Sequence, residues 1–310
     1  CHIGLDEPND LARRAWDFLR PYVEGADAYV FSRRAFAWEG LEEDKVWLIA
    51  PSIDVFSPKN QEMEPGVARA IVARIGVSPD GPANPVFHRH DGSPGRVDRR
   101  AEIDQDEPVP HDAPLVMQVS RWDRLKDPTG VLRSFTEHID RDDAHLLLAG
   151  PSVADVADDP EGAEVLAEVR ELRSTLPDAV RARVHLATLP MDDIEENAAM
   201  VNALQRRADV VVQKSLAEGF GLTVAEAMWK ARPVVASRIG GIQDQIVDAD
   251  PRDLAAAGGA IGSLLADPQR AASIGAAARE RVRADFLGTR HLIQYLQLME
   301  ELLIRQRAAS

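Results

Sequence analysis

The chain has 310 residues, 45% of them hydrophobic, a formal net charge of -15 and one cysteine, Cys1. That apolar content suffices for two domains of ordinary size and excludes a compositionally disordered chain. The charge argues against general affinity for nucleic acid or anionic lipid, the lone terminal cysteine excludes an internal disulfide, and no apolar run approaches the roughly 20 residues that span a bilayer, so a reducing, cytoplasmic setting is the expectation.

The opening CHIGLD reads as the end of a strand running into a loop. The beginning of the chain is therefore expected to be missing, which leaves a lost targeting segment open. The pattern then predicts a helix near 8–20, strands at AYVFS (28–32) and VWLIAP (46–51), and a helix near 62–75. From Gly76 to Pro114 the chain is rich in Pro, Gly, Asp, Arg and His, with neither a helical nor a strand period. It reads as a long, mobile polar insertion. Beyond it, strands at LVMQVS (115–120), HLLLAG (145–150), RVHLAT (183–188), DVVVQ (209–213) and PVVAS (233–237) alternate with helices near 129–139, 161–175, 193–207, 222–231 and 269–284. These strands are continuous apolar runs rather than alternating ones, as parallel strands covered on both faces should be. Strand–helix alternation at this spacing predicts an α/β, doubly wound parallel sheet. A last helix near 289–306 carries Leu292, Ile293, Leu296, Met299, Leu302 and Leu303 on one face, expected to dock on the core.

Ligands of such sheets bind at the carboxyl ends of the strands. Two loops there carry the candidate chemistry. The first, SRWDRLKDP (120–128), follows a strand with Arg121 and Lys126. Arg offers a planar fork to a diphosphate and Lys a point charge, and Arg124 reads as a solvated neighbour. The second, KSLAEGFG, runs into a helix from Leu222. Gly219 and Gly221 allow close backbone approach, and the amides at Leu222 and Thr223 open a helix start that favours phosphate. Two carboxylates flank this turn. Thr223-Val-Ala-Glu226 fits a capping box, whereas Glu218 lies outside it and capping does not explain it. A carboxylate beside a phosphate site suits hydroxyls, which points to a sugar phosphate or a sugar nucleotide.

SRWDRLKDP followed by AEGFGLTVAEAMWKARPVVASRIGGI resembles the nucleotide-binding half of retaining GT-B glycosyltransferases of family 4, with the Arg-x4-Lys pair, the Glu-x7-Glu pair and the late GGI in the same order. The flanks AWDFLRPYVEGADAYVFS, APSIDVFSPKN and VNALQRRADVVVQKSLAEGFG are similar to the trehalose synthases of the glycosyltransferring type. The resemblance implies a GT-B fold with a remnant of an acceptor-side Rossmann-like domain at 1–57. A donor-binding domain would follow at 58–285, interrupted near 76–114, with a helix at 286–310 crossing back to the first domain. It implies transfer of glucose, with retention, from a nucleotide-diphosphate glucose to glucose, with no cofactor and no metal. By the same resemblance Arg121 and Lys126 hold and stabilise the leaving diphosphate, and Glu218 accepts from donor hydroxyls. Backbone at Phe220, Gly221, Leu222 and Thr223 meets sugar and phosphate, and Glu226 binds the ribose, in competition with the capping role. His2 matches a histidine that faces the donor sugar, with a purely structural role left open. Glu218 as a covalent nucleophile is the weaker alternative to same-face attack.

The sequence departs from that family in two places. Much of the first domain and its glycine-rich loop are not present, and QIVDADPRDLAA (245–256) passes from one helix directly to the next where the family has a turn and a strand. Other sugar acceptors, a non-catalytic nucleotide-sugar-binding domain and a nucleotide-sugar epimerase of the same fold remain as alternatives. A homodimer is a further possibility that the sequence leaves open.

Overall fold

The computed structural model describes residues 8–79, 81–82, 84–153, 160–245 and 252–309. The chain begins with a small unit. Helix α1 (Asp10–Val23) is capped by Asn9, whose side chain accepts from the Ala12 amide at 2.9 Å. Strands β1 (Tyr29–Phe31) and β2 (Val46–Leu48) pair in parallel, with Tyr29 opposite Val46. Trp16, Tyr29, Phe31, Phe36 and Trp38 form its core, with the Trp16 and Trp38 rings stacked at 5.9 Å.

The second unit is the doubly wound sheet that the apolar runs predict. Helix α2 (Pro65–Arg74) leads to three short strands, β3 (Val86–His88), β4 (Pro94–Arg96) and β5 (Glu102–Asp104). Then follow β6 (Leu115–Val119), α3 (Pro128–His138), β7 (His145–Pro151), α4 (Pro160–Ser174), α5 (Asp178–Arg181), β8 (Val184–Leu189), α6 (Ile194–Arg207), β9 (Val210–Gln213), α7 (Leu222–Trp229) and β10 (Val234–Ala236). Helices α8 (Leu254–Ala266), α9 (Pro268–Asp285) and α10 (Gly288–Ala309) close the chain.

The main sheet has the order β10-β9-β6-β7-β8-β5, parallel throughout except for β5. Successive residues of a strand point to opposite faces. Leu115, Met117 and Val119 accordingly join the core under α2 and α6, while Val116 joins the one under α3 and α8. Both faces are covered, so both sets must be apolar, which is why these strands read as unbroken hydrophobic runs.

The segment 76–114 differs from the expected mobile insertion. Strands β3 and β4 form an antiparallel pair, and β5 adds to the sheet edge antiparallel to β8, with Glu102 opposite Thr188. Phe87, Val97 and Val109 are buried in the core. Glu196 of α6, itself buried, accepts from the amides of Asp98 at 2.7 Å and Arg99 at 2.8 Å and pairs with the Arg99 guanidinium. Arg89 grips Asp193 at 2.6 Å and Glu195 at 2.9 Å, and that contact pulls the Asp193 carboxyl down to about 2. Three-residue strands anchored by single apolar residues and by buried charge leave no periodicity for a sequence to show.

Helix α10 also corrects an expectation. Leu298 is its buried anchor, while Leu292, Ile293, Leu296, Met299 and Leu303 are exposed and Leu302 is half-buried. The apolar face therefore does not dock on the core. The helix is held instead by polar contacts to the first unit. Arg290 donates to the carbonyls of Ala50 at 2.9 Å and Pro51 at 3.1 Å, and the amide of Ile53 donates to Phe286 at 2.9 Å. Of QIVDADPRDLAA, residues 246–251 lie outside the described residues, Gly240–Asp244 is a 3-10 turn and Leu254 opens α8.

Adjacent strands β7 and β8 place His145 and His185 against each other, with Nδ1 and Nε2 at 2.9 Å and the rings stacked at 5.2 Å. One ring nitrogen must donate and the other accept, so the two rings cannot both be protonated. Burial, with the His145 and Arg173 charges beside it, pushes His185 down to about 3. The folded protein thus refuses a proton that the unfolded chain takes up near pH 6.5. The stability involved is complete above that pH and is lost as pH falls toward about 3. From pH 7 to pH 5 it should decline by about 2 kcal/mol through this group. Urea unfolding of His185→Gln at the two pH values should show most of that decline removed.

Candidate functional site

The loop after β6 is fixed from below. Trp122 is buried against Gly150, where a Cβ would lie 2.6 Å from the indole, and its N–H donates to the Pro151 carbonyl at 3.0 Å. Gln118, buried on β6, donates to the Lys126 carbonyl at 2.7 Å. Asp123 caps the turn Arg124–Lys126 by accepting from the Leu125 amide at 2.7 Å. The chain thereby leaves the strand end with Arg121 and Lys126 at the carboxyl edge of the sheet. Arg121 is 67% exposed and reaches Asp123 at 3.0 Å. Arg124 turns away to Glu168 at 2.7 Å and Glu164 at 3.3 Å on α4, so it is a tethered neighbour rather than a solvated one.

The loop after β9 is stitched to the first. The Leu216 amide donates to the Leu125 carbonyl at 2.7 Å. Lys214, buried, pairs with Asp127, and Lys126 pairs with Glu218. Asp127 itself sits in the left-handed region at φ 50° and accepts from the Gly130 amide at 3.1 Å, capping α3. Lys126 and Glu218, 92 positions apart, are in direct contact and largely shielded from solvent.

The turn into α7 is built on glycine. Gly221 has φ 82°, and a Cβ there would stand 2.7 Å from Ile242. Gly221, not Thr223, caps α7, and no side chain caps it. The capping-box reading is thus corrected: Thr223 is the second residue of the helix, and Glu226 points elsewhere. Phe220 turns its ring inward onto Phe286 at 5.5 Å, which leaves its backbone as the part that can meet a ligand. Among the described residues, none accepts from the amides of Phe220, Gly221, Leu222 or Thr223. These are the orphan donors of a helix start, a ready anion site.

The GGI turn closes the far side. The Gly241 amide donates to the Gly219 carbonyl at 2.7 Å, and Gln245 donates to the Phe220 carbonyl at 2.6 Å. Gly240 has φ 48°, and a Cβ there would fall 1.7 Å from the Glu218 carbonyl oxygen. Arg33 of the first unit reaches over to the Gly240 carbonyl and lies 3.4 Å from Asp244.

Glu226 is buried. One of its oxygens meets Lys59 at 3.0 Å, and the other has no partner among the described residues. Beside it Lys230 is buried with its ammonium 3.1 Å from the Asn60 side chain and from the Glu226 carbonyl, and burial pushes it down to about 7. His2 lies outside the described residues. Arg121, Lys126, Glu218 and the backbone of 220–223 occupy adjoining loops, while Glu226 stands one turn further into α7. Sequence reading missed Arg33, Lys59, Lys214 and Lys230. Lys59 lies within APSIDVFSPKN and Arg33 directly after AYVFS, but only the fold brings them to this edge.

Three comparisons bear on the chain. The model of the family described as Glycosyl transferases group 1 matches residues 99–281. The chain is 37% identical to a trehalose synthase of Rubrobacter xylanophilus, over 98% of this chain and 63% of that protein. Among solved structures it resembles a sucrose-phosphate synthase from Thermosynechococcus elongatus, with a TM-score of 0.64 and 23% identity over 98% of this chain and 63% of that one. It also resembles HepE of Anabaena, solved in complex with UDP-glucose, with a TM-score of 0.68 and 15% identity over 96% of this chain and 70% of that one. The chain thus spans about 63% of the length of the trehalose synthase it matches.

Gly240→Ala should displace the Glu218–Gly219 backbone and cost about 1–3 kcal/mol. Hydrogen exchange at the amides of 219–223 should accelerate while the β6 and β7 amides keep their protection; unchanged exchange at 219–223 would contradict the tight contact.

Proposed function

The chain belongs to the glycosyl transferases group 1 family and has the GT-B fold, and from that premise we propose that it binds a nucleotide-diphosphate glucose and transfers the glucose, with retention, to a sugar acceptor. The acceptor we assign is glucose, and the product is then the α,α-linked disaccharide. The observation that carries this reading is the contact between Lys126 and Glu218. It joins the cationic loop after β6 to the acidic loop after β9, beside four amides from which no described residue accepts.

Chemically, the bond from the anomeric carbon to the diphosphate breaks and a bond to an acceptor hydroxyl forms on the same face. The hydroxyl proton leaves with the diphosphate. Charge develops on that diphosphate, and preorganised donors aimed at it are the main source of rate acceleration. Arg121 supplies the fork, Lys126 the point charge, and the amides of 220–223 the dipoles. Glu218 accepts from glucose hydroxyls. Its ion pair with Lys126 keeps a carboxylate tolerable next to phosphates. Glu226, with one oxygen that has no partner among the described residues, is suited to accept from ribose hydroxyls. The similarity to a trehalose synthase supports the acceptor assignment.

Arg121→Ala should weaken nucleoside-diphosphate binding by about 1.5–3 kcal/mol in calorimetry. Glu218→Gln should instead leave that affinity within a few-fold and cut glucosyl transfer by at least about tenfold, measured as disaccharide formed. If the unmodified chain binds the nucleotide without transferring glucose, it is a donor-binding module and the catalytic part of the proposal fails.

A further inference from the structure

At the amino ends of β9 and β10, across the sheet from the loops just described, lies a cavity of about 200 Å³. Four guanidinium groups line it, from Arg69 on α2, Arg206 and Arg207 at the end of α6, and Arg232 before β10. In a chain of net charge -15 this is a marked local reversal. Two carboxylates pair with these arginines, Glu62 with Arg206 at 3.2 Å and Asp209 with Arg207 at 3.3 Å. They match half of the positive charge, and Glu62 is shared with Arg279.

The arginines are held in place by backbone rather than by further anions. Arg206 donates to the Gln61 carbonyl at 2.9 Å, Arg207 to Ala113 at 2.6 Å, and Arg232 to Ala208 at 3.1 Å. Those bonds fix each group without neutralising it. The Nε atoms of Arg207 and Arg232 and the hydroxyl of Ser78 are buried and have no partner among the described residues. Burial lowers Arg232, the Asp209 charge opposes that, and repulsion from Arg206 and Arg207 adds to it. Arg69 is exposed at the rim and has no ion-pair partner among the described residues. The opposite wall, Met63 and Val72, is apolar.

We propose that this cavity is a second binding site, specific for a phosphate monoester of a small organic molecule. Four guanidinium groups facing two carboxylates, with Arg69 and Arg232 in no ion pair among the described residues, suit a group that carries about two negative charges at neutral pH. Forked donors suit phosphate oxygens, and the apolar wall suits the carbon skeleton of the ester. The site lies at the other end of the sheet from the donor loops and does not depend on the function proposed for them.

Inorganic phosphate, glucose 6-phosphate and glucose, each titrated by calorimetry into the unmodified chain, Arg69→Glu and Arg121→Ala, test it. Both phosphates should bind the unmodified chain and glucose should not, with the ester binding more tightly than the free ion. Arg69→Glu, on an exposed side chain, should keep the unfolding temperature and lose at least about tenfold in affinity. Arg121→Ala should keep the affinity that Arg69→Glu loses; a loss in Arg121→Ala instead would place the phosphate at the donor loops and overturn the proposal. Failure of the unmodified chain to bind either phosphate, or undiminished affinity in Arg69→Glu, overturns the proposal.

Discussion

Two loops from distant parts of the chain behave as one surface because charge and backbone lock them together. Lys126 with Glu218, Lys214 with Asp127, and the Leu216 amide on the Leu125 carbonyl form three consecutive stitches. All three exist because β6 and β9 are neighbours in the sheet and end at the same edge. Breaking one buried ion pair by removing a single partner strands the other charge, which costs roughly 3–5 kcal/mol. The cationic and acidic groups are therefore positioned by the sheet order itself, with the loops' own flexibility largely removed.

Much of this was legible in the amino-acid pattern. Seven apolar runs became strands, five of them in the wound sheet, where both faces demand apolar side chains. The Arg-x4-Lys and Glu-x7-Glu spacings marked the two loops that the fold brings into contact. The failures have physical causes. Strands β3 to β5 are three residues each and rest on Phe87, Val97 and the buried Glu196, so no period exists to detect. Thr223 and Glu226 satisfy a capping pattern, but Gly221 in the left-handed region starts the helix two residues earlier. Arg33 and Lys59 reach their partners from segments far from those partners in sequence, Gly240 and Glu226.

The first unit and α10 present another kind of surface. Leu11, Phe18 and Tyr22 on α1, and Leu292, Leu296 and Met299 on α10, are all exposed. Single exposed apolar residues are ordinary, but rows of them at helical spacing are not. In α10 the row stays exposed while the buried Leu298 and the Arg290 bonds to Ala50 and Pro51 hold the helix.

Arg33 spans the two units and ends on the carbonyl of Gly240, the residue whose missing side chain lets the GGI turn lie on the Glu218 carbonyl. Any rocking of the small unit against the large sheet must tug on that clasp. Displacement of the small unit and the shape of the GGI turn are thereby coupled through the Arg33 guanidinium.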